Sequence, residues 1–381
     1  MIAGEVLLDA FINANILFLV CYLLWLGVRT LMRQTGLRNA FGVQLGLLNA
    51  VFVAIIFAPF VALGFRALQN SGVARDVNIN LSDAVVAYYL NGGFQMEASR
   101  FETLVLMRDS FVLNVLNANG LVAQLAIIIF AAGTAIGVLQ LVTSALCLRR
   151  IVSQSYAWRD FGRIKLCLSD RTLVPFSTRG LRNFYVVVPS HMLSDSNELK
   201  VAVAHEFQHI RQGDLGWEVV LEALKPIFFL NPAYRAWKRQ VEHLRELNCD
   251  ARVLQNGRVD VRAYCETLLS VCQKSLRRDR AFVLAVPKVT LVTADRSSLF
   301  DRKGSFLEQR IMSALETRRT RFQAFLFACI AVPLLALTTL TTLAIQSPGD
   351  WSHDRLMLST VVNLDRLDKI NKLSTFGRIR N

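Results

Sequence analysis

Residues 121–148 read LVAQLAIIIFAAGTAIGVLQLVTSALCL, a run of 28 residues without a charged side chain. A helix needs about 20 apolar residues to cross the roughly 30 Å hydrocarbon core of a bilayer. A buried helix of a soluble protein rarely stays apolar on all sides over such a length. Three further runs have the same character: Phe11–Val28, Phe41–Phe65 and Phe322–Ile345. The sequence therefore predicts an α-helical membrane protein with four transmembrane helices.

The composition agrees with this fold class. The chain has 381 residues, of which 53% are hydrophobic and 19% charged, whereas a soluble domain carries about 25% charged residues. An entirely soluble or disordered chain is therefore excluded. The leader before the first run contains Glu5 and Asp9 but no basic residue. We therefore do not expect it to be a cleaved signal peptide, which would have a basic start.

The basic residues near the apolar runs predict the orientation, because cytoplasmic loops carry an excess of Lys and Arg. Residues 29–40 contain three arginines and no acidic residue, whereas 66–120 contains four basic and five acidic residues. Arg149 and Arg150 follow the third run, and three arginines directly precede the fourth. The N-terminus and residues 66–120 are thus expected outside the cell, and residues 29–40 and 149–321 in the cytoplasm.

These runs and loops predict six segments in chain order. They are two transmembrane helices with an outside N-terminus (1–65), an outer loop (66–120), a third transmembrane helix (121–148), a cytoplasmic domain (149–321), a fourth transmembrane helix (322–345) and a short external tail (346–381).

The cytoplasmic domain is basic, with 30 basic and 18 acidic residues. Attraction to anionic lipid and the positive-inside bias explain this charge better than nucleic-acid binding does. Membrane lipid is thus an expected partner, and nucleic acid is not. None of the seven cysteines lies in the outer loop or the tail, and no pair has Cys-x-x-Cys spacing. Neither a disulfide framework nor a cysteine zinc site is therefore expected.

Local patterns within residues 149–321 predict strands and then helices. Alternation in Arg163–Ser169 and the β-branched run Phe184–Val188 indicate a small antiparallel sheet. A helix should then begin after Asp195, a good N-cap, and end at Gly213. This order of elements predicts an α+β domain.

Two further segments follow that helix. Asn231 followed by Pro232 predicts the start of a second helix, which runs to about Leu254. Between the two helices, Val219–Leu230 is apolar but too short to span a bilayer. We expect it either to pack on the sheet or to graze the membrane.

The first helix contains His205, Glu206 and His209 in the pattern His-Glu-x-x-His. Residues four apart lie on one helix face about 5–6 Å from each other, so both imidazoles can bind one zinc ion. Glu206 can then act as general base toward the attacking water. Chance is the alternative, but two of only five histidines fall in this pattern.

A catalytic zinc ion needs a third protein ligand and one open position. The second helix offers Glu246, which we favour over His243, three residues earlier on the same face. Asp250, four residues after Glu246, is suited to accept the other ring N–H of a zinc-bound histidine. Asp214 either orients His209 or merely caps the end of the helix.

A family resemblance rests on four short segments. They are VPSHML (188–193), AHEFQHIRQGD (204–214), NP (231–232) and ELNCDARVL (246–254). Together with the four runs, they make the sequence similar to the BlaR/MecR family of gluzincin-like membrane zinc peptidases, whose best-known members sense β-lactams. The resemblance implies a cytoplasmic zinc metallopeptidase domain inserted at 149–321. It also implies zinc on His205, His209 and Glu246, with Glu206 as the catalytic residue.

One difference from the β-lactam receptors concerns the signal. Those receptors carry a penicillin-binding sensor after the fourth span, whereas about 36 residues follow Ile345 here and contain no Ser-x-x-Lys motif. Covalent antibiotic sensing by such a domain is therefore not expected. The outer loop 66–120 and the mildly amphipathic tail Leu356–Leu373, which could lie on the outer leaflet or pair with a partner, are the remaining candidate receivers.

The sequence thus predicts a zinc endopeptidase of a bacterial inner membrane. Its expected partner is a cytoplasmic protein substrate, such as a transcriptional repressor, cleaved when an outside signal shifts the spans. Two alternatives are a quality-control or maturation protease for membrane proteins, and a non-catalytic signalling scaffold with a structural zinc ion. Self-cleavage in the basic linker Lys274–Lys303 and formation of a homodimer are further alternatives.

Overall fold

The structure is a computed structural model, which describes residues 2–35, 37–72, 80–91, 93, 96–257, 259–276, 306–316, 323–346 and 353–373. Helices α1 to α12 are, in chain order, Ile2–Gln34, Phe41–Asn70, Leu81–Leu90, Ala98–Leu116, Leu121–Ser153, Ser196–Gln212, Asp214–Leu224, Pro232–Gln255, Val261–Leu276, Phe306–Leu315, Gln323–Ala344 and His353–Leu373. Strands β1 to β4 are Tyr156–Phe161, Ile164–Ser169, Phe176–Arg179 and Phe184–Pro189.

Four of the described helices, α1, α2, α5 and α11, are long and apolar enough to cross a membrane. Helices α1, α2 and α5 contain the first three apolar runs predicted to span. Helix α11 is one residue shorter at each end than the fourth predicted run, Phe322–Ile345. Helix α5 has no fully buried residue within its 18-residue apolar window, as expected of a helix whose surrounding solvent is mostly lipid. The chain is therefore a membrane protein.

The described chain forms two compact units, and α1, α2, α5 and α11 each contribute to both. The first unit consists of Met1–Leu24, Asn49–Ala131 and Cys329–Asn381. In this unit, α12 packs on α3 and α4 around Val86, Phe101, Leu358 and Val362. The tail helix therefore pairs with the loop 66–120 of its own chain.

The second unit consists of Trp25–Leu48 and Ala132–Ala328 and contains a four-stranded sheet in the order β1-β2-β4-β3. Two pairs are antiparallel, but the central pair, β2 with β4, is parallel. The prediction of an antiparallel sheet is therefore wrong for this pair. The reason lies in the connection: β3 forms a hairpin with β4 at the far edge, so β4 returns between β3 and β2 in the direction of β2.

The helix boundaries predicted from capping residues are confirmed. The Asp195 side chain accepts hydrogen bonds from the N–H groups of Asn197 and Glu198, at 2.9 and 3.2 Å. Gly213 ends α6 with φ of 75°, the left-handed region that glycine enters without steric cost. The side chain of Asn231 caps α8 in the same way as Asp195 caps α6.

The core of the second unit lies between the sheet and α6, α8 and α9. Val186 and Val188 of β4 pack against Val201 and Ala202 of α6 and Val253 of α8. Burial of such side chains stabilises the fold by about 1.5–3 kcal/mol each. This packing fixes one face of α6 on the sheet and brings another against α8, where the predicted ligands lie.

Two predicted segments have different outcomes. Within Val219–Leu230, residues up to Leu224 belong to α7, which packs on β3, and a turn follows. The predicted self-cleavage linker Lys274–Lys303 lies outside the described residues from 277 onward.

Candidate metal centre

Helix α6 brings two of the predicted ligands together at the centre of the second unit. His205 and His209 are completely buried, and their Nε2 atoms are 3.0 Å apart. The two histidines are separated by one helical turn, and both lie on the face of α6 that packs on α8.

The other ring nitrogen of His209 is held by Asp214. The His209 Nδ1 atom lies 2.8 Å from Asp214 Oδ2, and Asp214 is itself buried as the first residue of α7. Of the two roles considered for Asp214, the geometry therefore matches orientation of the imidazole. The contact places the proton of the neutral ring on Nδ1 and leaves the Nε2 lone pair free of a proton.

His205 has the same arrangement through a tyrosine. Its Nδ1 atom is 3.0 Å from the Tyr264 hydroxyl, which donates its own proton to Asp250. Since the hydroxyl proton is used in that bond, the tyrosine oxygen accepts from His205 Nδ1–H. Asp250 Oδ1 also lies 3.4 Å from Nδ1. The proton of His205 is therefore also on Nδ1, and its Nε2 presents a lone pair.

Two imidazole lone pairs that face each other at 3.0 Å repel unless a cation lies between them. The Glu246 carboxylate completes the arrangement, with Oε2 at 3.5 Å from His205 Nε2 and Oε1 at 3.6 Å from His209 Nε2. Ligand atoms about 2.0–2.1 Å from a tetrahedral zinc ion would be about 3.3 Å from each other. The three observed separations, 3.0, 3.5 and 3.6 Å, thus fit a zinc ion, and the roles of these residues as ligands stay a prediction.

Cys249 offers a different third ligand, since His205, His209 and Cys249 also bring ligand atoms within 4.8 Å of one another. The thiol lies on the other side of His205, 3.6 Å from Nδ1, and donates a hydrogen bond to the His205 backbone carbonyl. Burial is the main cause that raises the pKa of the thiol well above its usual range, and the negative charge of the nearby Asp250 raises it further. A protonated thiol on the Nδ1 side is a poorer ligand than the ionised Glu246.

Glu206 is buried beside this centre. Among the described residues, no group meets hydrogen-bond geometry with either of its carboxylate oxygens. Burial, opposed by His209 and the Ser177 hydroxyl of β3, raises the pKa of Glu206 to about 7. A carboxylate with this pKa can accept and return a proton near neutral pH, as a general base requires.

A buried arginine from outside the predicted site completes the centre. Arg310 of α10 is 1% exposed, and its Nε and Nη2 atoms donate to the two oxygens of Asp250 at 2.7 and 2.6 Å. Its Nη1 atom lies 3.3 Å from Glu246 Oε2. Although burial raises the pKa of Glu246, Arg310 and the two imidazoles outweigh it and lower the pKa to about 2.

Two other residues near Glu246 are placed differently from a solvent-exposed helix face. The ring of His243, the rival ligand, stacks on Phe306 at 4.3 Å between centroids. Arg245, a flanking charge that would fit a solvated face, is buried and donates to Glu218 at 2.5 Å. Glu246 thus lies on a helix segment that is buried on several sides.

Comparison with known proteins adds a family to this geometry. The model of the family described as BlaR1 peptidase M56 matches residues 6–291. The chain belongs to the BlaR1 peptidase M56 family. Membership makes it a BlaR1-like membrane metallopeptidase, in agreement with the resemblance seen in the sequence. No curated protein matches the chain.

The match to the M56 family contains the two histidines, Glu206, Glu246 and Asp250, but it ends before Arg310. Sequence reasoning also missed Arg310 and Tyr264. Each is a single polar residue within an amphipathic helix, and no local spacing relates it to the His-Glu-x-x-His pattern. A signal in the sequence would have required knowledge of which helices pack on α8.

Proposed function

We propose that the chain is a zinc endopeptidase that cleaves a cytoplasmic protein, such as a transcriptional repressor, in response to an outside signal. One observation carries the proposal. Two imidazole lone pairs and an ionised Glu246 converge within 3.6 Å beside Glu206, a buried carboxylate whose pKa is about 7. A structural zinc site would not need this second carboxylate.

The chemistry follows from the residues around the centre. A bound zinc ion supplies Lewis acidity, which activates water and polarises the peptide carbonyl. Glu206 removes a proton from the attacking water as the water oxygen bonds to the carbonyl carbon, and then gives that proton to the leaving amine nitrogen. Asp214, and Asp250 through Tyr264, hold the two imidazoles in the tautomer that leaves Nε2 as an acceptor.

Strand β3 is the proposed binding site for the substrate backbone. It is an edge strand of the sheet and carries Ser177, whose hydroxyl lies close enough to Glu206 to lower its pKa. An extended peptide that adds to this edge satisfies its main-chain hydrogen bonds. Its scissile bond would then lie next to the general base.

The signal would enter through the cluster of α3, α4 and α12. Arg108 of α4 donates to Asp9 and Asn13 of α1, both at 2.9 Å, and to the backbone carbonyl of Ile345 at 2.8 Å. One side chain thus ties this cluster to the ends of the first and last spans. A ligand that moves α4 would therefore move both.

The proposed orientation places this cluster outside an inner membrane and the zinc domain in the cytoplasm. Cysteines placed at Asn91, Arg179 and Asn256, which are all exposed, test it in intact cells after Cys147 and Cys329 are replaced. A membrane-impermeant thiol reagent should label the Asn91 position alone. Labelling at Arg179 or Asn256 would invert the orientation and exclude cytoplasmic substrates.

The ligand set predicts the metal content of single variants. Purified wild-type protein should hold about one zinc ion per chain, and His209→Ala or Glu246→Ala should lose most of it, because each removes one of three ligands. His243→Ala should keep zinc, since that ring stacks on Phe306. Elemental analysis measures all of these. Zinc loss in Cys249→Ala but not in Glu246→Ala would show that the thiol is the third ligand.

The protease function is tested by a comparison of protein N-termini between cells that express the wild type and Glu206→Gln. A repressor fragment that depends on Glu206 is the expected result. Fragments of many misfolded membrane proteins would instead favour the quality-control alternative. If no fragment differs and the variant keeps its biological output, the chain is a scaffold and the proposal is wrong.

A further inference from the structure

The turn between α7 and α8, residues 225–231, packs on two glycines of the apolar helix α5. A Cβ atom added at Gly133 would overlap the ring of Phe229, and one at Gly137 would lie 3.0 Å from the Cα atom of Pro226. Between them, the Thr134 hydroxyl donates to the Pro226 carbonyl at 3.4 Å. The absence of side chains at both glycines is thus what permits this close approach.

The two glycines lie at a depth of α5 that hydrocarbon must occupy. The charge-free run 121–148 has 28 residues, and a span needs about 20 of them. Residues 129–140 belong to every 20-residue segment that fits within the run, wherever the helix sits, and tilt only lengthens the segment. Gly133 and Gly137 are both in this common part, so the turn packed on them lies at the same depth.

The backbone of the turn is suited to such a place, where unpaired polar groups are costly. The N–H groups of Ile227, Phe228 and Asn231 donate to carbonyls within the turn and the end of α7. The carbonyl of Pro226 accepts from Thr134, and that of Phe229 accepts from the Arg235 guanidinium. These bonds do not depend on water.

The outer surface of the turn and of α7 is apolar. Val219 and Val220 of α7 and Ile227 and Leu230 of the turn are between 40% and 59% exposed. These four exposed side chains, called here the apolar stripe, belong to a segment whose turn contacts α5 through Phe229 and Pro226. The exposed Lys225 lies in the same turn, and its long apolar stem can carry the ammonium group toward the headgroup region.

We propose that this stripe, the membrane tip, is inserted among the acyl chains of the bilayer that α5 crosses. The geometry then places the metal centre close to the membrane surface, because Asp214 is only about 15 Å along α7 from Leu224. The inference rests on the membrane-spanning fold rather than on proteolysis. It deepens the proposed function by favouring substrates whose scissile bond lies close to the membrane.

The test uses the full-length Glu206→Gln protein in vesicles of phosphatidylcholine and phosphatidylglycerol that carry a photoactivatable diazirine on one acyl chain. After illumination, mass spectrometry maps the labelled peptides. Labelling of residues 219–230 at a level within about threefold of that in α5 is expected. Labelled spans with an unlabelled tip would overturn the proposal, and cross-links from the tip to a second chain would assign the stripe to a protein interface instead.

Two double variants distinguish insertion of the tip from non-specific labelling of exposed apolar residues. Ile227→Asp with Leu230→Asp puts charge at the tip and should reduce its lipid labelling at least tenfold, with the spans unchanged. Leu181→Asp with Leu193→Asp alters two other exposed apolar residues of the same unit, which lie outside the tip, and should leave the labelling pattern unaltered. Equal labelling of the tip in the two double variants would also overturn the proposal. Because no variant in this experiment needs to cleave, its outcome is independent of whether the protein is a protease.

Discussion

Replacing Glu206 with Gln is expected to abolish peptide hydrolysis and, in the same protein without metal, to increase stability. Loss of a general base costs about 10²–10⁴-fold in rate. The gain in stability arises because burial raises the pKa of Glu206 from 4.5 to about 7. Ionising this buried carboxyl therefore costs the folded protein free energy at neutral pH.

The pH dependence gives the sign of this effect. Between about pH 4.5 and 7, the folded protein holds a proton on Glu206 that the unfolded chain has released, so the free energy of unfolding falls as pH rises. The difference between the two pKa values corresponds to a loss on the order of 3 kcal/mol at pH 7. Glu206→Gln lacks this ionisation, so its advantage over the wild type should be small at pH 4.5 and large at pH 7.

Thermal unfolding of chelator-treated protein in detergent, at pH 5 and at pH 7, measures this difference. Glu266→Gln is a matched control, because Glu266 is an exposed residue of α9 and the same chemical change there should move neither stability nor activity. A stability difference for Glu206→Gln that is equal at both pH values would mean that the carboxyl is ionised in the folded protein. Retained cleavage would assign the base to another residue.

Local parts of this centre could be predicted from the sequence because they depend on helix geometry alone. His205, Glu206 and His209 lie within one helical turn, and the caps at Asp195 and Asn231 mark the starts of the two helices. The position of Glu246 on the second helix followed from the need for a third ligand. In each case the relevant residues are close in the chain, or the chemistry limits the choice to few candidates.

The remaining parts depend on tertiary packing, which leaves no periodic trace. The parallel pairing of β2 with β4 follows from the path of the chain through β3, not from the composition of either strand. Strand β1 was missed because all six of its residues are exposed, so no buried face produces an alternating pattern. Arg310 lies 60 residues after Asp250, and only the packing of α10 on α8 makes it part of the site.

Replacing Arg310 with Met is expected to weaken metal binding and to destabilise the protein strongly. The change leaves Asp250 without its two charge-assisted hydrogen bonds and Glu246 without a neighbouring cation, both in buried positions. Removal of one partner of a buried ion pair typically costs about 3–5 kcal/mol. Zinc affinity should also fall by about 10–100-fold, because Asp250 and Tyr264 then hold His205 less firmly.

Arg262→Met is the matched control for this change. Arg262 lies on α9, two residues before Tyr264, and its ion pair with Glu266 is exposed at both ends, so its loss should hardly change the stability. Arg310→Lys should have a stability and a zinc affinity between those of Arg310→Met and Arg262→Met. An ammonium group keeps the positive charge but cannot donate to both oxygens of Asp250 in the same fork. Thermal unfolding and competition for zinc with a coloured chelator give both quantities.

A double variant distinguishes a positioning role for Arg310 from mere filling of space. If the cost of Arg310→Met arises from the carboxylates that it leaves unpaired, then Asp250→Asn added to Arg310→Met should recover part of the stability, because one buried charge is removed with its partner. If the cost arises from packing alone, the two changes should add. Restored stability together with continued weak zinc binding is the expected result, since the neutral pair folds but no longer supports the tautomer of His205. Additive losses in stability, or wild-type zinc affinity in Arg310→Met, would show that the guanidinium does not act on the metal centre through Asp250.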